Sequence, residues 1–254
     1  MPGKGRYLYG LIRAAEDLDF GPIGLEQDGA PAAVRTIRVG DIAAVVSECK
    51  PGGRILPIRK NLDAHHKTIR EVMKERTIVP MTFGHVAECE ADIAKTIKQN
   101  RDAILAELKR LDHRVEMGLR VRWDVENIFE YFVRENANLA SYRDQVFGQS
   151  SPPSQAEKIE LGRIFEDLVS RERERLSEQV LEILGPCSAD VRALPAKNDK
   201  IVMDLAFLVD RDKLQAFEGK VYQAANAFPA QFVFDYNGPW APFNFIELDL
   251  DAAA

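Results

Sequence analysis

Hydrophobic and polar positions alternate with two different periods along the chain, and the order of these periods predicts its elements. In the second half, four short apolar segments predict strands, with clear alternation at 114–121, and three longer segments predict helices. In chain order these are a strand at 114–121, helices at 124–142 and 155–184, strands at 189–194 and 200–209, a helix at 211–226 and a strand at 231–236. This β–α–α–β–β–α–β order predicts a ferredoxin-like α+β domain whose first helix is doubled.

The first half contains the same two patterns in a different order. Gly40 and Asp41 separate two short apolar runs, which is typical of a two-residue hairpin. Asn61 precedes an apolar series with helical spacing and is the predicted N-cap of that helix, while Pro80 places a later strand near a sheet edge. Strands are predicted at 6–12, 34–39, 42–46 and 78–83, and helices at 61–76 and 92–111. We therefore expect a second, related α+β unit.

The length of 254 residues fits two domains of modest size. The change in element order places the division near residue 112, so the predicted domains are residues 1–112 and 113–254. After the last predicted strand, residues 237–246 carry three aromatic side chains and two prolines. Because prolines limit regular structure, this C-terminal stretch is predicted to lie as an extended segment across another surface.

Composition and charge narrow the possible functions. Hydrophobic residues make up 46% of the chain and charged residues 29%, which excludes intrinsic disorder for most of it. The 40 acidic residues against 34 basic ones give a net charge of −6. Binding to nucleic acid or to an anionic membrane relies on concentrated positive charge, so this balance argues against both partners.

Three features of the sequence indicate a cytoplasmic protein. The three cysteines, Cys49, Cys89 and Cys187, are far apart, which fits neither a disulfide framework nor a zinc ribbon. The first residues lack the apolar core of a signal peptide. The most apolar internal stretch spans only residues 201–209, whereas a membrane-spanning helix needs about 20 residues.

Few residues are candidates for catalytic chemistry. No nucleophile elbow, Walker loop, zinc-protease helix or dinucleotide-binding motif occurs, so no catalytic residue, cofactor or metal is predicted. His65 and His66 are adjacent on a predicted helix and diverge by about 100°, which favours histidines at the border of a packed face. The alternative is an enzyme, or a small-ligand or metal-binding module, built from His65, His66 and His85 with Arg59 and Arg70.

Two groups of apolar side chains are candidates for binding another protein. The aromatics of the C-terminal stretch either cover their own domain or anchor a partner, since aromatic side chains are frequent interface anchors. An apolar stripe along the long helix is either domain core or a partner surface. The candidate partner-binding residues are Trp240, Pro242, Phe243, Phe245, Leu161, Phe165 and Leu168.

Five short segments distributed over the chain follow the order in which a known family has them. They are YLYGL at 7–11, NLDAHH at 61–66, TIVPMTFG at 77–84, VEMGL at 115–119 before the Trp–Asp pair at 123–124, and GPWAPFNF at 238–245. On these segments the chain resembles the GvpF/GvpL family of gas vesicle accessory proteins over nearly its whole length. Family members often carry Arg where Met81 or Thr82 stands here, so no role for a charge is expected at that turn.

The resemblance implies a two-domain α+β protein without enzymatic activity and without a cofactor. It implies a minor component or an assembly and nucleation factor of the gas vesicle, the gas-filled protein shell that gives cells buoyancy and lies in the cytoplasm. The implied partners are the small, apolar major shell protein and other gas vesicle accessory proteins, with neither nucleic acid nor membrane among them. It leaves open whether the protein is GvpF-like or GvpL-like, and its oligomeric state.

Overall fold

The computed structural model describes residues 5–50, 54–148 and 152–248 and shows an α+β fold, as predicted. Its elements form two compact units. The first unit comprises the residues up to Glu116 together with those from Pro239 onward. The second unit comprises Met117–Gly238.

An antiparallel sheet forms the centre of the first unit. The strands of this unit are β1 (Gly5–Arg13), β2 (Asp19–Gly21), β3 (Glu26–Gln27), β4 (Ala30–Pro31), β5 (Val34–Val39), β6 (Ile42–Cys49), β7 (Ile78–Pro80) and β8 (Val86–Ala87). The main sheet has the order β2–β5–β6–β1–β7, β8 also pairs with β1, and β3 pairs with β4. All four predicted strands are present, but the one predicted at 78–83 ends at Pro80; it lies at an edge of the sheet, where proline is tolerated.

The predicted hairpin connects β5 and β6. Val39 faces Ile42 across the two strands, so Gly40 and Asp41 form a two-residue connection. Gly40 has a φ of 67°, a left-handed conformation that glycine adopts without steric cost. The hairpin prediction is therefore confirmed, and the reason is the backbone requirement of the turn.

Three helices belong to the first unit: α1 (Arg59–Met73), α2 (Glu90–Gln99) and α3 (Arg101–Arg110). The predicted N-cap of α1 is wrong, because the helix begins two residues before Asn61, whose side-chain amide donates instead to the carbonyl of Leu56. The single helix predicted at 92–111 is two helices. They meet at Asn100, whose φ of −110° leaves the helical region and whose side chain donates to the carbonyl of Thr96.

The helices α1 and α2 lie on opposite faces of the sheet. Neighbouring residues of a strand point to opposite faces. On β1, Tyr7 contacts His65 of α1, whereas Arg6 forms an ion pair with Glu90 in the first turn of α2 at 2.8 Å. Glu90 also accepts from Arg35 of β5, which fixes α2 over the centre of the sheet.

The second unit has the element order that the hydrophobic pattern predicts. Its elements, two of which extend slightly beyond it, are β9 (Arg114–Trp123), α4 (Ile128–Glu135), α5 (Ala137–Phe147), α6 (Gln155–Leu184), β10 (Asp190–Ala193), β11 (Ile201–Asp210), α7 (Leu214–Asn226) and β12 (Phe232–Trp240). The sheet has the order β10–β11–β9–β12, and β10 and β11 are antiparallel. The helix predicted at 124–142 is divided at Asn136, which accepts from the Leu139 N–H as the N-cap of α5. The ferredoxin-like topology stays a prediction.

The long helix α6 has the bounds that the sequence predicts. At its start the Ser154 hydroxyl accepts from the Glu157 N–H, and the Glu157 carboxylate accepts from the Ser154 N–H, which makes a capping box. At its end Gly185 and Pro186 turn the chain into a short 3-10 helix. Within the described ranges, no helix is long and apolar enough to cross a membrane.

The C-terminal stretch lies with the first unit, although the predicted division places it in the second domain. Strand β12 continues through Pro239 to Trp240, beyond the predicted end at residue 236. Because β12 is the last strand of its sheet, Pro239 can lie in it with its nitrogen on the unpaired side. A 3-10 turn follows at Phe243–Phe245. The domain boundary at residue 112 stays a prediction.

Candidate partner-binding site

The segment formed by residues 239–248 is anchored to the first unit at its far end. Phe245 is completely buried, and its carbonyl oxygen accepts a hydrogen bond from the guanidinium of Arg110 on α3. Arg110 is itself held by two hydrogen bonds to the carboxylate of Glu107. The N–H of Glu247 donates to that same carboxylate at 3.0 Å. The anchor therefore consists of a buried aromatic ring and of backbone hydrogen bonds to α3, and both stabilise the first unit.

A second anchor joins the same segment to Glu116 at the edge of the unit. The backbone N–H of Asn244 donates to one carboxylate oxygen of Glu116 at 2.9 Å, and the side-chain amide donates to the other at 2.6 Å. Glu116 is only 7% exposed, and burial raises the pKa of its carboxyl group above the ordinary value. The two donors stabilise the buried carboxylate and fix the turn that presents Phe243.

Trp240 and Phe243 cover part of helix α1 from outside. The guanidinium of Arg70 lies over the Trp240 ring, 5.4 Å from its centroid, at the distance of a cation–π contact. The Phe243 ring meets the His66 ring edge-on, with 5.5 Å between centroids. Trp240 nevertheless remains 40% exposed, although Tyr222 (64%) and Phe147 (57%) are more exposed aromatic side chains among the described residues.

These side chains enclose a cleft of about 280 Å³. Apolar groups from both sides line it, together with a basic side chain, a histidine and the buried carboxylate that the second anchor holds. Its lining residues are His66, Ile69, Arg70, Glu116, Pro239, Trp240, Ala241, Phe243 and Asn244. All of them belong to the first unit, so the cleft is a feature of that unit alone. We name it the Trp240 cleft.

The charges around the Trp240 cleft are not balanced by ion pairs. Among the described residues, the guanidinium of Arg70 has no carboxylate partner, and it lies over the Trp240 ring. Partial burial and the nearby Arg70 charge lower the pKa of His66, so this imidazole is neutral at pH 7. Both oxygens of Glu116 accept from Asn244. Arg70 is therefore the basic group of the cleft that is left for a ligand.

His65, which the sequence offers as a metal ligand or catalytic group, is part of the core. It is completely buried, its Nδ1 accepts from the Tyr7 hydroxyl at 2.8 Å, and its Nε2–H donates to the Met81 carbonyl at 3.1 Å. The Tyr7 hydroxyl in turn accepts from the Gly84 N–H. Burial, with the neighbouring His66 as a smaller cause, lowers the pKa of His65 to about 4. The imidazole is a neutral link between α1, β1 and the turn after β7.

Two other members of the alternative histidine site have hydrogen-bond or ion-pair partners of their own. The Nε2 of His85 is bonded to the Thr82 hydroxyl at 2.8 Å within its own turn. Arg59 is directed to Asp63 on the exposed side of α1, at 3.6 Å. The described part of the chain contains no group of three or more His, Cys, Asp or Glu side chains placed to hold a metal ion.

The apolar stripe of the long helix packs inside the second unit. Leu161 is 6% exposed, and the Phe165 ring contacts the rings of Phe129 and Phe132 at 5.3 and 5.8 Å. Leu168 is half-buried on the same helix. These three side chains contribute to the core in which α6 meets α4 and α5. Their predicted role in partner binding stays a prediction that this packing does not favour.

The structure thus separates the four candidate residues of the C-terminal stretch into two groups. Trp240 and Phe243 line one cleft, whereas Pro242 and Phe245 are buried. His66 and Arg70 were named from the sequence only for the alternative ligand or metal site, and this part of α1 was not connected with the C-terminal aromatics. A helical signal was present, because residues three and four positions apart share one helix face, as His66, Ile69 and Arg70 do. No sequence signal linked this face to a segment so distant in the chain.

Comparison with known proteins assigns the fold and the family. The family model described as "Gas vesicle synthesis protein GvpL/GvpF" matches residues 5–247. A crystal structure of the gas vesicle protein GvpF from Anabaena sp. PCC7120 has a TM-score of 0.83 at 23% identity and covers 97% of this chain and 99% of its own. The crystal structure of GvpF from Microcystis aeruginosa has a TM-score of 0.80 at 21% identity and covers 96% of this chain and 99% of its own.

Curated relatives are similar in sequence to this chain over almost their whole length. Gas vesicle protein F of Streptomyces sp. (strain CB03234) is 25% identical over 95% of this chain and 99% of its own length. Gas vesicle protein F1 of Halobacterium salinarum is 24% identical over 97% of this chain and 94% of its own length. Gas vesicle protein L of the same Streptomyces strain is 25% identical over 94% of this chain and 92% of its own length. Similarity to both F and L proteins leaves the choice between these two types open.

Proposed function

The chain belongs to the GvpL/GvpF family of gas vesicle synthesis proteins, and from that premise we propose that it binds the major gas vesicle shell protein during assembly. The Trp240 cleft is the proposed docking site. Other gas vesicle accessory proteins are further partners in this proposal. The protein acts as a binding protein without a catalytic step, in the cytoplasm and at the growing gas vesicle.

One observation carries this proposal: an aromatic side chain is held partly exposed by a rigid, buried anchor. Trp240 is 40% exposed, while Phe245, five residues later, is completely buried. Single exposed apolar side chains are common on protein surfaces, but an aromatic ring at the edge of a cleft can anchor a partner side chain that enters the cleft. Its fixed position also reduces the conformational entropy that is lost when a partner binds.

The chemistry of the proposed client fits this site. The major shell protein is apolar on the faces that meet gas or neighbouring subunits, and before assembly these faces need cover. An aromatic cleft can bury an apolar side chain of the client, at roughly 25 cal/mol per Å² of apolar surface removed from water. A cleft of about 280 Å³ takes only one or two side chains, so the rest of the contact surface lies outside it.

Co-purification with the major shell protein tests this function. The shell protein is co-expressed with the tagged full-length chain, carrying either the natural residues or Trp240→Ala with Phe243→Ala. We expect the double variant to recover at least about tenfold less shell protein, because two aromatic anchors are removed. Tyr222→Ala is the matched control, since Tyr222 is an exposed aromatic (64%) on α7 of the second unit.

Circular dichroism and thermal unfolding establish that the double variant is folded. Equal recovery of the shell protein by a folded double variant would contradict the proposed site. Absence of shell protein even with the natural sequence would contradict the proposed function itself. Flotation of intact gas vesicles, followed by detection of the chain in the buoyant fraction, tests whether the protein remains with the shell.

A further inference from the structure

We propose that the Trp240 cleft recognises a segment of its partner in which a carboxylate side chain stands next to an apolar one. This inference rests on the proposed function, because it names the chemistry by which the docking site selects its partner. In the complex, the carboxylate pairs with the guanidinium of Arg70. The neighbouring apolar side chain enters between Trp240 and Phe243.

The first argument is the state of Arg70. Most other described arginines of the first unit have acidic partners; for example, Arg6 and Arg35 contact Glu90, Arg101 contacts Asp41, and Arg110 contacts Glu107. Among the described residues Arg70 has none, although it stands on the same helix as Arg59, which contacts Asp63. An arginine fixed at a cleft without a counter-charge is complementary to an incoming carboxylate.

The second argument is the way in which Trp240 holds the guanidinium. The guanidinium carbon of Arg70 lies over the Trp240 ring, 5.4 Å from its centroid, and no carboxylate of the described residues accepts from its N–H groups, which can therefore donate two hydrogen bonds to an incoming carboxylate. Trp240 is the last residue of β12 and lies five residues before the completely buried Phe245, so its backbone is held on both sides before binding. A preorganised donor loses little side-chain entropy on binding.

The third argument is the size and apolar lining of the cleft. Its volume of about 280 Å³ lies at the lower end of small-molecule sites, so it suits a side chain of a protein partner better than a cofactor. Ile69, Ala241 and Phe243 supply apolar walls beside Arg70. An aliphatic side chain adjacent to the carboxylate can therefore be buried while the carboxylate stays at the arginine.

A partner segment with a basic side chain is the opposite possibility, and the structure disfavours it. The carboxylate of Glu116 is the acidic group among the lining residues. Both of its oxygens already accept hydrogen bonds from Asn244. A basic side chain would also meet the positive charge of Arg70 at the entrance. The experiment below decides between the two charges.

Peptide titration of the full-length chain tests this recognition. The probes are acetylated, amidated peptides Gly-Leu-X-Leu-Gly with X as Asp, Asn or Lys, and the readout is the indole N–H signal of Trp240 in ¹H–¹⁵N spectra. The chain has two tryptophans, and the completely buried Trp123 is the internal control. We expect the Asp peptide to shift the Trp240 signal with an affinity about five- to tenfold higher than the Asn peptide, as for one added charged hydrogen-bonding group.

Variants of Arg70 assign the preference to this residue. Arg70→Gln should remove the difference between the Asp and Asn peptides, and Arg70→Glu should reverse it in favour of the Lys peptide. Arg59→Gln, on the same helix, should leave it unchanged. Equal binding of the Asp and Asn peptides, stronger binding of the Lys peptide to the natural sequence, or an unchanged Asp preference in Arg70→Gln would each overturn the proposal.

Capture of the shell protein separates this inference from the proposed function. If the natural sequence captures the shell protein and Arg70→Gln captures it about fivefold less, both stand. If Arg70→Gln captures it equally well, the inference fails while the proposed function is kept. If the natural sequence captures none but still prefers the Asp peptide, the cleft has the proposed chemistry and serves a different partner.

Discussion

The guanidinium of Arg70 lies 5.4 Å from the centroid of the Trp240 ring, so a helix from the first half of the chain meets a segment from its end. The contact is possible because residues 239–248 belong to the first unit. Neither residue alone forms a site. Together they make an ordered, partly exposed pair of an aromatic ring and a cation, which is the basis of the proposed docking surface.

Phe245 and Phe243 should have different roles that stability measurements can separate. Phe245→Ala should lower the free energy of unfolding by about 3–5 kcal/mol, because it leaves a cavity at a completely buried site. Phe243→Ala should lower it by only about 1–2 kcal/mol, because this ring is half-buried at the cleft. Urea unfolding followed by circular dichroism measures both. Equal losses would show that Phe243 is an anchor as well.

A negative charge at position 244 should lower the stability of the protein, because the Asn244 side chain faces the buried carboxylate of Glu116. Asn244→Ala removes one donor to a charged group and should lower stability by about 1.5–3 kcal/mol. Asn244→Asp should lower it further at pH 7, since a second carboxylate then stands beside the buried carboxylate of Glu116. The difference between the two variants should shrink towards pH 4, where protonation of one carboxylate removes the repulsion. A difference independent of pH in urea unfolding would contradict this account.

His65 should make the protein less stable in mild acid. Its pKa is about 4 in the folded protein, below the ordinary value of 6.5, so the unfolded chain binds the proton more readily. The resulting stability is present above about pH 6.5 and is lost as the pH falls towards 4, by up to about 3 kcal/mol. His65→Gln cannot titrate, so its unfolding free energy should depend less on pH in this window. Parallel pH profiles of the two proteins would contradict the assignment.

Replacing two glycines by alanine should change the stability of the protein in opposite directions. A Cβ on Gly10 of β1 would lie 2.6 Å from the Val79 carbonyl and 2.7 Å from the Ile78 side chain, so Gly10→Ala should lower stability by about 1–3 kcal/mol. A Cβ on Gly162 of α6 would meet nothing within 4 Å, and Gly162→Ala should raise stability by about 0.5–1 kcal/mol. Thermal unfolding of both variants measures this. A stabilised Gly10→Ala variant would show that the strands β1 and β7 are not so closely packed.

The sequence predicts best where a single local signal decides the structure. The bounds of α6 follow from its capping box and from the Gly–Pro pair after it, and the β5–β6 hairpin follows from Gly40. Helix breaks at Asn100 and Asn136 were missed, because the apolar spacing continues across both positions. In each case the deciding signal is the backbone or side-chain hydrogen bonding of one asparagine, which a hydrophobic pattern does not contain.

The site was predicted only in part because its halves are distant in sequence. The aromatic content of residues 237–246 identified Trp240 and Phe243, and burial then excluded Phe245 as an exposed contact. The adjacent histidines suggested chemistry, but His65 links Tyr7 to the turn after β7 through hydrogen bonds within the core. Whether a histidine is a ligand or a core residue depends on tertiary contacts, which local sequence does not determine.

Photo-crosslinking from position 240 tests the central claim most directly. A photoreactive phenylalanine analogue replaces Trp240 in cells that are forming gas vesicles, and in a parallel strain it replaces Tyr222, an exposed aromatic of the second unit. After irradiation, crosslinked partners are identified by mass spectrometry. We expect the major shell protein to crosslink at position 240 and not at position 222. Crosslinks to the shell protein from position 222 alone, with none from position 240, would contradict the proposed docking site.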